Sequence, residues 1–221
     1  MWGPILLSLK IASIATVFSF FFGVLFAYIL NKKNVPGKNF WETLITLPMI
    51  LPPSVTGYFL LKLLGKRGVI GSALIETFDV KIIFTWYAAV IAACIVSLPL
   101  MYQNVKAAFI SVDPMYERAA RTLGSSERRI FLTVTFPLAW PGIISGIVLA
   151  FCRAIGEFGA TLMVAGNVPG KTQTMTTAIY YAVETGKTDL ANTLVLIMTV
   201  FSFVLIFALN KWLEKRNYLG K

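Results

Sequence analysis

Residues 113–124 read Asp-Pro-Met-Tyr-Glu-Arg-Ala-Ala-Arg-Thr-Leu-Gly, and they lie between two long runs without a charge, 82–105 and 130–152. Asp113 is placed to cap a helix and Pro114 to open it, since a missing N–H costs nothing at the first helical position. Met115 to Leu123 then reads as one short helix with Ala119, Ala120 and Leu123 as its apolar side. Gly124 falls where a left-handed residue ends a helix. Ser125 or Ser126 can cap a second helix running through Ile130 and Phe131 toward Pro137. The stretch therefore predicts two short helices joined by a glycine elbow, with Arg118, Arg121, Glu127, Arg128 and Arg129 on its exposed side. A solvated basic loop that only fixes topology needs no caps, elbow or apolar side. A short amphipathic helix with small residues suits docking into a groove of another protein.

The flanking runs set the class. Hydrophobic residues make up 57% of the 221 and charged residues 14%, with a mean hydropathy of +0.75. A soluble domain of this length has no core large enough to hide so much apolar surface. The 17 Phe, 8 Tyr and 5 Trp exclude a disordered chain. The absence of His removes the commonest metal ligand and general base. Cys94 and Cys152 both lie in apolar runs, so neither a disulfide framework nor a metal site is expected.

Five uncharged runs, 11–30, 43–61, 82–105, 130–152 and 190–210, approach or reach the about 20 residues that cross a bilayer. The expected spans are 5–31, 43–64, 82–105, 134–163 and 190–212, in a single domain over 1–221, with a loop at 106–131. The first run is read as a true span, because no Lys or Arg precedes Lys10 and the run is too long for the apolar core of a leader. With the N-terminus outside, the inner segments hold Lys32, Lys33, Lys38, Lys106, Arg118, Arg121, Arg128, Arg129, Lys211, Lys215, Arg216 and Lys221. The outer segments hold half as many, Lys62, Lys66, Arg67, Lys81, Lys171 and Lys187. Basic residues concentrate on the cytoplasmic side, so the N-terminus is placed outside and the C-terminus inside. The net charge of +10 is then a topology signal; charges in short loops between spans do not make a nucleic-acid footprint.

The second run carries three prolines within Leu47-Pro48-Met49-Ile50-Leu51-Pro52-Pro53. Each removes a donor and displaces the carbonyl four residues back, which frees Leu44, Pro48 and Met49. Lipid offers those carbonyls nothing, so such backbone survives at membrane depth only against protein or a water-filled cavity. Ser54, Thr56 and Gly57 follow directly. Two readings stay open: a helix lining a pathway, or a kinked packing helix whose small residues allow close contact.

The segment Arg118-Ala119-Ala120-Arg121-Thr122-Leu123-Gly124, with Val134-Thr135-Phe136-Pro137 further on, resembles the EAA loop of bacterial ABC importer permeases. In that family the loop is the coupling helix that inserts into the ATPase subunit. Three letters depart: Arg118 stands where the family's Glu usually is, with Glu117 one place earlier, Val134 replaces Ile and Phe136 replaces Leu. The shifted Glu leaves open which side chain meets the ATPase. Val35-Pro36-Gly37-Lys38, Leu47-Pro48 through Gly57-Tyr58, Phe84-Thr85-Trp86, Gly156-Glu157-Phe158-Gly159-Ala160-Thr161, Gly166-Asn167-Val168-Pro169-Gly170 and Gln173-Thr174 are similar to the molybdate permease family within a molybdate, tungstate and sulfate group.

That resemblance implies an all-α polytopic membrane protein of the type I ABC importer fold, with five transmembrane helices and a cytoplasmic coupling helix. It implies a homodimer in the lipid of a prokaryotic inner membrane, working with two cytoplasmic ABC ATPase subunits and an extracytoplasmic oxyanion-binding protein. ATP and Mg²⁺ belong to the ATPase, so no cofactor, catalytic residue or metal ligand is expected in this chain, and no nucleic-acid partner. Glu117, Arg118, Ala119, Ala120, Arg121, Leu123 and Gly124 become the ATPase-coupling set.

Ala165 to Thr172 nearly matches a phosphate-binding loop, but Ala stands for its first Gly and it follows a membrane helix instead of a strand. An outer turn on Pro169-Gly170 is preferred. Arg153 and Glu157 are four apart and share a helix face within or near the fourth span. Intramembrane charges face protein or water. Arg153 either supplies positive potential for an anion, tempered by Glu157, or the two form a self-neutralised pair that holds helices together. The second is preferred, because a deep cationic well would trap what a conduit must release. Thr161 and the run Thr172-Gln173-Thr174-Met175-Thr176-Thr177 offer uncharged donors on the outer side. The candidate pathway set is Pro48, Pro52, Pro53, Ser54, Thr56, Gly57, Arg153, Glu157 and Thr161. A standalone channel or ion-coupled carrier usually needs several intramembrane ionisable groups, and only Arg153–Glu157 is available.

Overall fold

The computed structural model describes residues 2–31 and 35–219, with side chains through Lys215. Lys32, Lys33 and Lys221 of the inner-side charge count lie outside the described residues, as does the side chain of Arg216. The described residues form helices and no strand: α1 (Trp2–Leu30), α2 (Lys38–Ile50), α3 (Pro53–Leu64), α4 (Val69–Phe78), α5 (Trp86–Ile110), α6 (Pro114–Thr122), α7 (Glu127–Ile130), α8 (Phe136–Ile155), α9 (Gly159–Ala165), α10 (Met175–Glu184) and α11 (Thr188–Leu219). A π-helical turn, Phe131–Thr135, makes α7 and α8 continuous.

Four stretches, Trp2–Leu30, Trp86–Ile110, Glu127–Ile155 and Thr188–Lys215, are long and apolar enough to cross a membrane. A bent pair, Lys38–Ile50 and Pro53–Phe78 at 114° to one another, passes the same test of length and apolarity when taken together, and counted as one broken span it makes five. The prolines account for the break. Pro52 has no N–H to continue α2, and its carbonyl instead accepts from Val55 and Thr56 as α3 begins.

The first span, Trp2–Leu30, and the last, Thr188–Leu219, extend past their expected limits, and the other two depart for local reasons. The third starts at Trp86, four residues late, because Thr85 caps it by accepting from Ala88 N–H, and it runs on to Ile110 inside the expected loop. The fourth, expected to run unbroken over 134–163, stops at Ile155 and restarts at Gly159. There the Glu157 carboxylate takes the Ala160 N–H at 2.9 Å, so a side chain replaces a turn of backbone hydrogen bonds.

Helix α5 is the axis of the bundle and packs against α1, α2, α8 and α9. Lipid tails are as apolar as leucine, so close packing by small residues must hold these helices. Ala12, Ala15 and Ala27 of α1 and Ala88, Ala89, Ala92 and Ala93 of α5 are fully buried. A Cβ added at Gly23 would lie 2.6 Å from Met101 Cγ. Between the two apolar core clusters, Ser19 Oγ and Ser97 Oγ share a buried 2.8 Å hydrogen bond that ties α1 to α5. Ordered this way, the chain gathers two ends. At one, Phe131 packs on Tyr28 and Phe109 with ring centroids 4.3 and 5.5 Å away, and Glu42 of α2 meets Lys106 of α5. At the other, Met175 N–H donates to Ser8 Oγ and Phe84 N–H to the Val164 carbonyl, each at 2.8 Å.

Candidate functional site

The elbow forms as its residues dictate. Asp113 Oδ1 accepts from Met115 N–H at 2.8 Å, and Pro114 opens α6. The helix ends at Gly124, whose φ of +80° lets Ser125 N–H return to the Ala120 carbonyl. Ser126 occupies the cap position of α7 without a side-chain cap bond.

No residue of α6 is buried. Met115, Ala119 and Leu123 fall four apart and share one exposed face, with Leu123 85% exposed. Ala120 is half-buried and Arg118 is exposed. Glu117 and Arg121 lie on the opposite face, Glu117 half-buried and Arg121 exposed, and both line the cavity behind the helix. Glu117 Oε1 accepts from Thr135 Oγ1 at 2.7 Å, and Arg121 Nη2 stands 3.5 Å from Glu117 Oε2. Arg121 also grips Glu127 with two bonds of 2.6 and 3.0 Å, which hold its guanidinium above the ordinary arginine value. The shifted Glu of the motif thus bonds within its own chain.

The second cluster lies where α8, α9, α10 and α3 meet. Arg153 Nη1 donates to Glu157 Oε2 at 2.7 Å, and the Glu157 side chain is 2% exposed against 33% for Arg153. Glu157 also receives Ala160 N–H on its other oxygen, and its carbonyl accepts from Thr176 Oγ1 at 2.8 Å. One residue therefore joins the end of α8, the start of α9 and the start of α10. Helix α9 then sits directly against α3. A Cβ on Gly159 would be 2.7 Å from Pro53 Cβ, and one on Gly57 would be 2.8 Å from Met163 Cβ and 3.0 Å from Ala160 Cα. Thr56 and Thr161 are buried in this region, and the Thr56 hydroxyl has no hydrogen-bond partner among the described residues.

Of the pathway set, Pro53 and Gly57 of α3 meet α9, near the buried Thr56 and Thr161, and Arg153 pairs with Glu157 at the turn that leads into α9; Pro52, Pro53 and Ser54 are exposed at the break. Pro48 is not among them. It lines an apolar groove with Phe26, Trp41 and Leu98 on the far side of the break.

The threonine run is used up by the fold. Thr172 Oγ1 accepts from Val168 N–H, and Thr174 and Thr177 form a reciprocal cap on α10. The segment 165–172 turns on Gly166 and Gly170, both at positive φ, with the Val168 carbonyl accepting from Lys171, Thr172 and Gln173. It joins two helices, not a strand and a helix.

Sequence reasoning missed Glu42. Its Oε1 accepts from Lys106 Nζ at 2.7 Å and from the buried Tyr102 hydroxyl at 3.0 Å, tying α2 to α5. The partners lie far apart in sequence, and only the charge of Glu42 in a short apolar helix hinted at a need for one.

Residues 19–217 match the family described as the binding-protein-dependent transport system inner membrane component. The chain belongs to this family. This permease is 41% identical over 214 residues to the molybdenum transport system permease protein of Escherichia coli (strain K12), covering 97% of this chain and 93% of that one. It is 36% identical over 210 residues to the protein of that name from Haemophilus influenzae, at 95% and 92% coverage. A sulfate transport system permease protein of Salmonella typhimurium is 32% identical over 203 residues, at 92% and 73%. Among solved structures, a bacterial ABC transporter involved in the import of alginate matches with a TM-score of 0.78 at 17% identity, covering 96% of this permease and 78% of that chain. The inward-facing MetNI methionine transporter matches with 0.73 at 14%, covering 96% and 94%. At such identities the likeness is one of fold, the type I importer permease fold.

Proposed function

We propose that this permease is the membrane-spanning subunit of an ATP-driven molybdate importer. It works as a homodimer in a prokaryotic inner membrane, with two cytoplasmic ABC ATPase subunits and an extracytoplasmic oxyanion-binding protein. The N-terminus faces outside and the C-terminus the cytoplasm, a reading supported by the excess of Lys and Arg in the segments this places inside. The carrying observation is α6: a helix capped by Asp113, stopped by Gly124 and devoid of buried residues, with Met115, Ala119 and Leu123 presented on one face. An apolar face of that kind on the water side of a membrane protein is a docking surface. The molybdenum transport relatives are more similar to the chain than the sulfate relative, which favours molybdate as cargo.

In this reading ATP and Mg²⁺ are bound by the ATPase subunits. Closure of the ATPase dimer displaces α6, and α8 carries the movement to the junction of α9 with the broken span α2–α3. Arg153 is neutralised by Glu157 at 2.7 Å, so the pathway offers no deep cationic well in which a dianion would lodge. Selection among oxyanions rests with the binding protein.

The test is reconstitution with the ATPase and a binding protein loaded in turn with molybdate, tungstate and sulfate. Molybdate is expected to stimulate ATP hydrolysis and to be taken up. Stimulation by sulfate alone reassigns the cargo, and molybdate uptake without ATP overturns the reading as an ATP-driven importer.

A further inference from the structure

Helix α6 is tied to the chain at both ends by backbone, yet it is not seated by packing. Behind it lies a cavity of about 560 Å³, lined by Tyr28, Phe109, Ile130 and Thr135 and by Glu117 and Arg121 of α6 itself. A helix standing over a hollow swings unless something else holds it. What crosses the gap is polar: the Thr135 hydroxyl on Glu117 at 2.7 Å, and Arg121 between Glu117 at 3.5 Å and Glu127 at 2.6 Å. Thr135 is 5% exposed and closes the π-helical turn that runs into α8. Single π turns within helices are uncommon and recur at functional positions. Here the turn sets the one buried hydroxyl of that segment on the one inward carboxylate of α6.

We infer that Glu117 and Thr135, closed by the Arg121–Glu127 bridge, form a clasp that makes α6 and the start of α8 one rigid unit. This deepens the proposed function and rests on α6 being the helix that docks on the ATPase. Glu117 and Arg121 are then positioning residues, and Met115, Arg118, Ala119 and Leu123 are left to meet the ATPase. The clasp gives the displacement of α6 a stiff path, since α8 spans about 30 Å at 1.5 Å per residue. At its far end Glu157 holds the first turn of α9, and α9 abuts α3 through Gly57 and Gly159.

The experiment uses the whole transporter, with binding protein and molybdate, and compares Thr135→Val with Thr135→Ser. The valine keeps shape and loses the hydroxyl; Thr135 is buried and cannot touch the ATPase. The Thr135→Val complex is expected to co-purify with its ATPase and to keep basal hydrolysis within about twofold. Molybdate-stimulated hydrolysis and uptake per ATP are expected to fall about tenfold, the factor that one charge-assisted hydrogen bond supports. Thr135→Ser is expected to restore both. Wild-type coupling in Thr135→Val, or equal loss in Thr135→Ser, overturns the clasp.

A second measurement needs no change in the clasp or the docking face: spin labels at the exposed positions 114 and 132, with Cys94 and Cys152 replaced by alanine. Their separation is expected to stay constant between nucleotide-free and nucleotide-bound transporter, and a change beyond about 5 Å, one helical turn, overturns it. Failure of the underlying reading looks different, for then the wild-type chain itself binds no ATPase.

Discussion

Gly57 sits in the interior of α3 with α9 pressed against it, and Gly57→Ala puts a number on that approach. The added Cβ lies 2.8 Å from Met163 Cβ, 2.9 Å from Met163 Cγ and 3.0 Å from Ala160 Cα, where ordinary contact begins at 3.4 Å. The helices must part by about 0.6 Å, because a Cβ and a Cα are fixed to the backbone and no rotamer change moves them. Overpacking of this kind costs about 1–3 kcal/mol, and the site's rigidity places it in the upper half of that range. Alanine returns about 1 kcal/mol of helix propensity. The net loss is about 1–2 kcal/mol, which for a chain of this size lowers Tm by about 2–8 °C.

The assay is thermal unfolding of the purified protein in detergent, with Gly3→Ala as control, since a Cβ on Gly3 meets nothing within 4 Å. The control is expected to hold or raise Tm. Met163→Ala is not expected to rescue Gly57→Ala, because the Met163 Cβ and the Ala160 Cα remain. A Gly57→Ala protein as stable as the control would refute the close seating of α3 on α9.

Three further outcomes follow from the same geometry. Arg153→Gln is expected to destabilise more than Glu157→Gln, at about 3 against about 1 kcal/mol, because the first strands a carboxylate that is 2% exposed and the second leaves an arginine that reaches water; denaturation midpoints in detergent check the order. Gly124→Ala is expected to cost about 1–2 kcal/mol of backbone strain at φ +80°, with no clash, and to lower molybdate-stimulated ATP hydrolysis, while Gly124→Asn does less harm. Glu42→Lys is expected to loosen α2 from α5, and the reciprocal Glu42→Lys, Lys106→Glu pair to recover part of the loss, with a coupling energy of about 0.5–3 kcal/mol in a double-mutant cycle.

Local chemistry made much of this molecule legible from its letters. Asp113, Pro114 and Gly124 act through their nearest neighbours, and the elbow formed where they put it. Three prolines within seven residues broke the second span at Pro52 for the same reason. The break of the fourth span was not legible, because Gly156 to Gly159 reads as an apolar stretch with one charge. The pairing of Glu157 with Arg153 was legible from their spacing of four, but only the fold reveals that Glu157 spends its other oxygen on Ala160 N–H. The threonines of 172–177 looked free because most of their partners are backbone N–H and C=O groups, which a sequence does not display. Glu42 and Thr135 escaped notice since each depends on a partner that only tertiary packing brings near.

The central claim is that force enters from the side of the membrane where α6 lies. Proteoliposomes holding the full transporter, with binding protein and molybdate on one face and ATP supplied to one compartment at a time, test it directly. Uptake is expected only when ATP shares the compartment with residues 113–124, located by protease accessibility at the exposed Arg118. Molybdate movement without ATP, or with ATP only on the opposite face, would contradict the account.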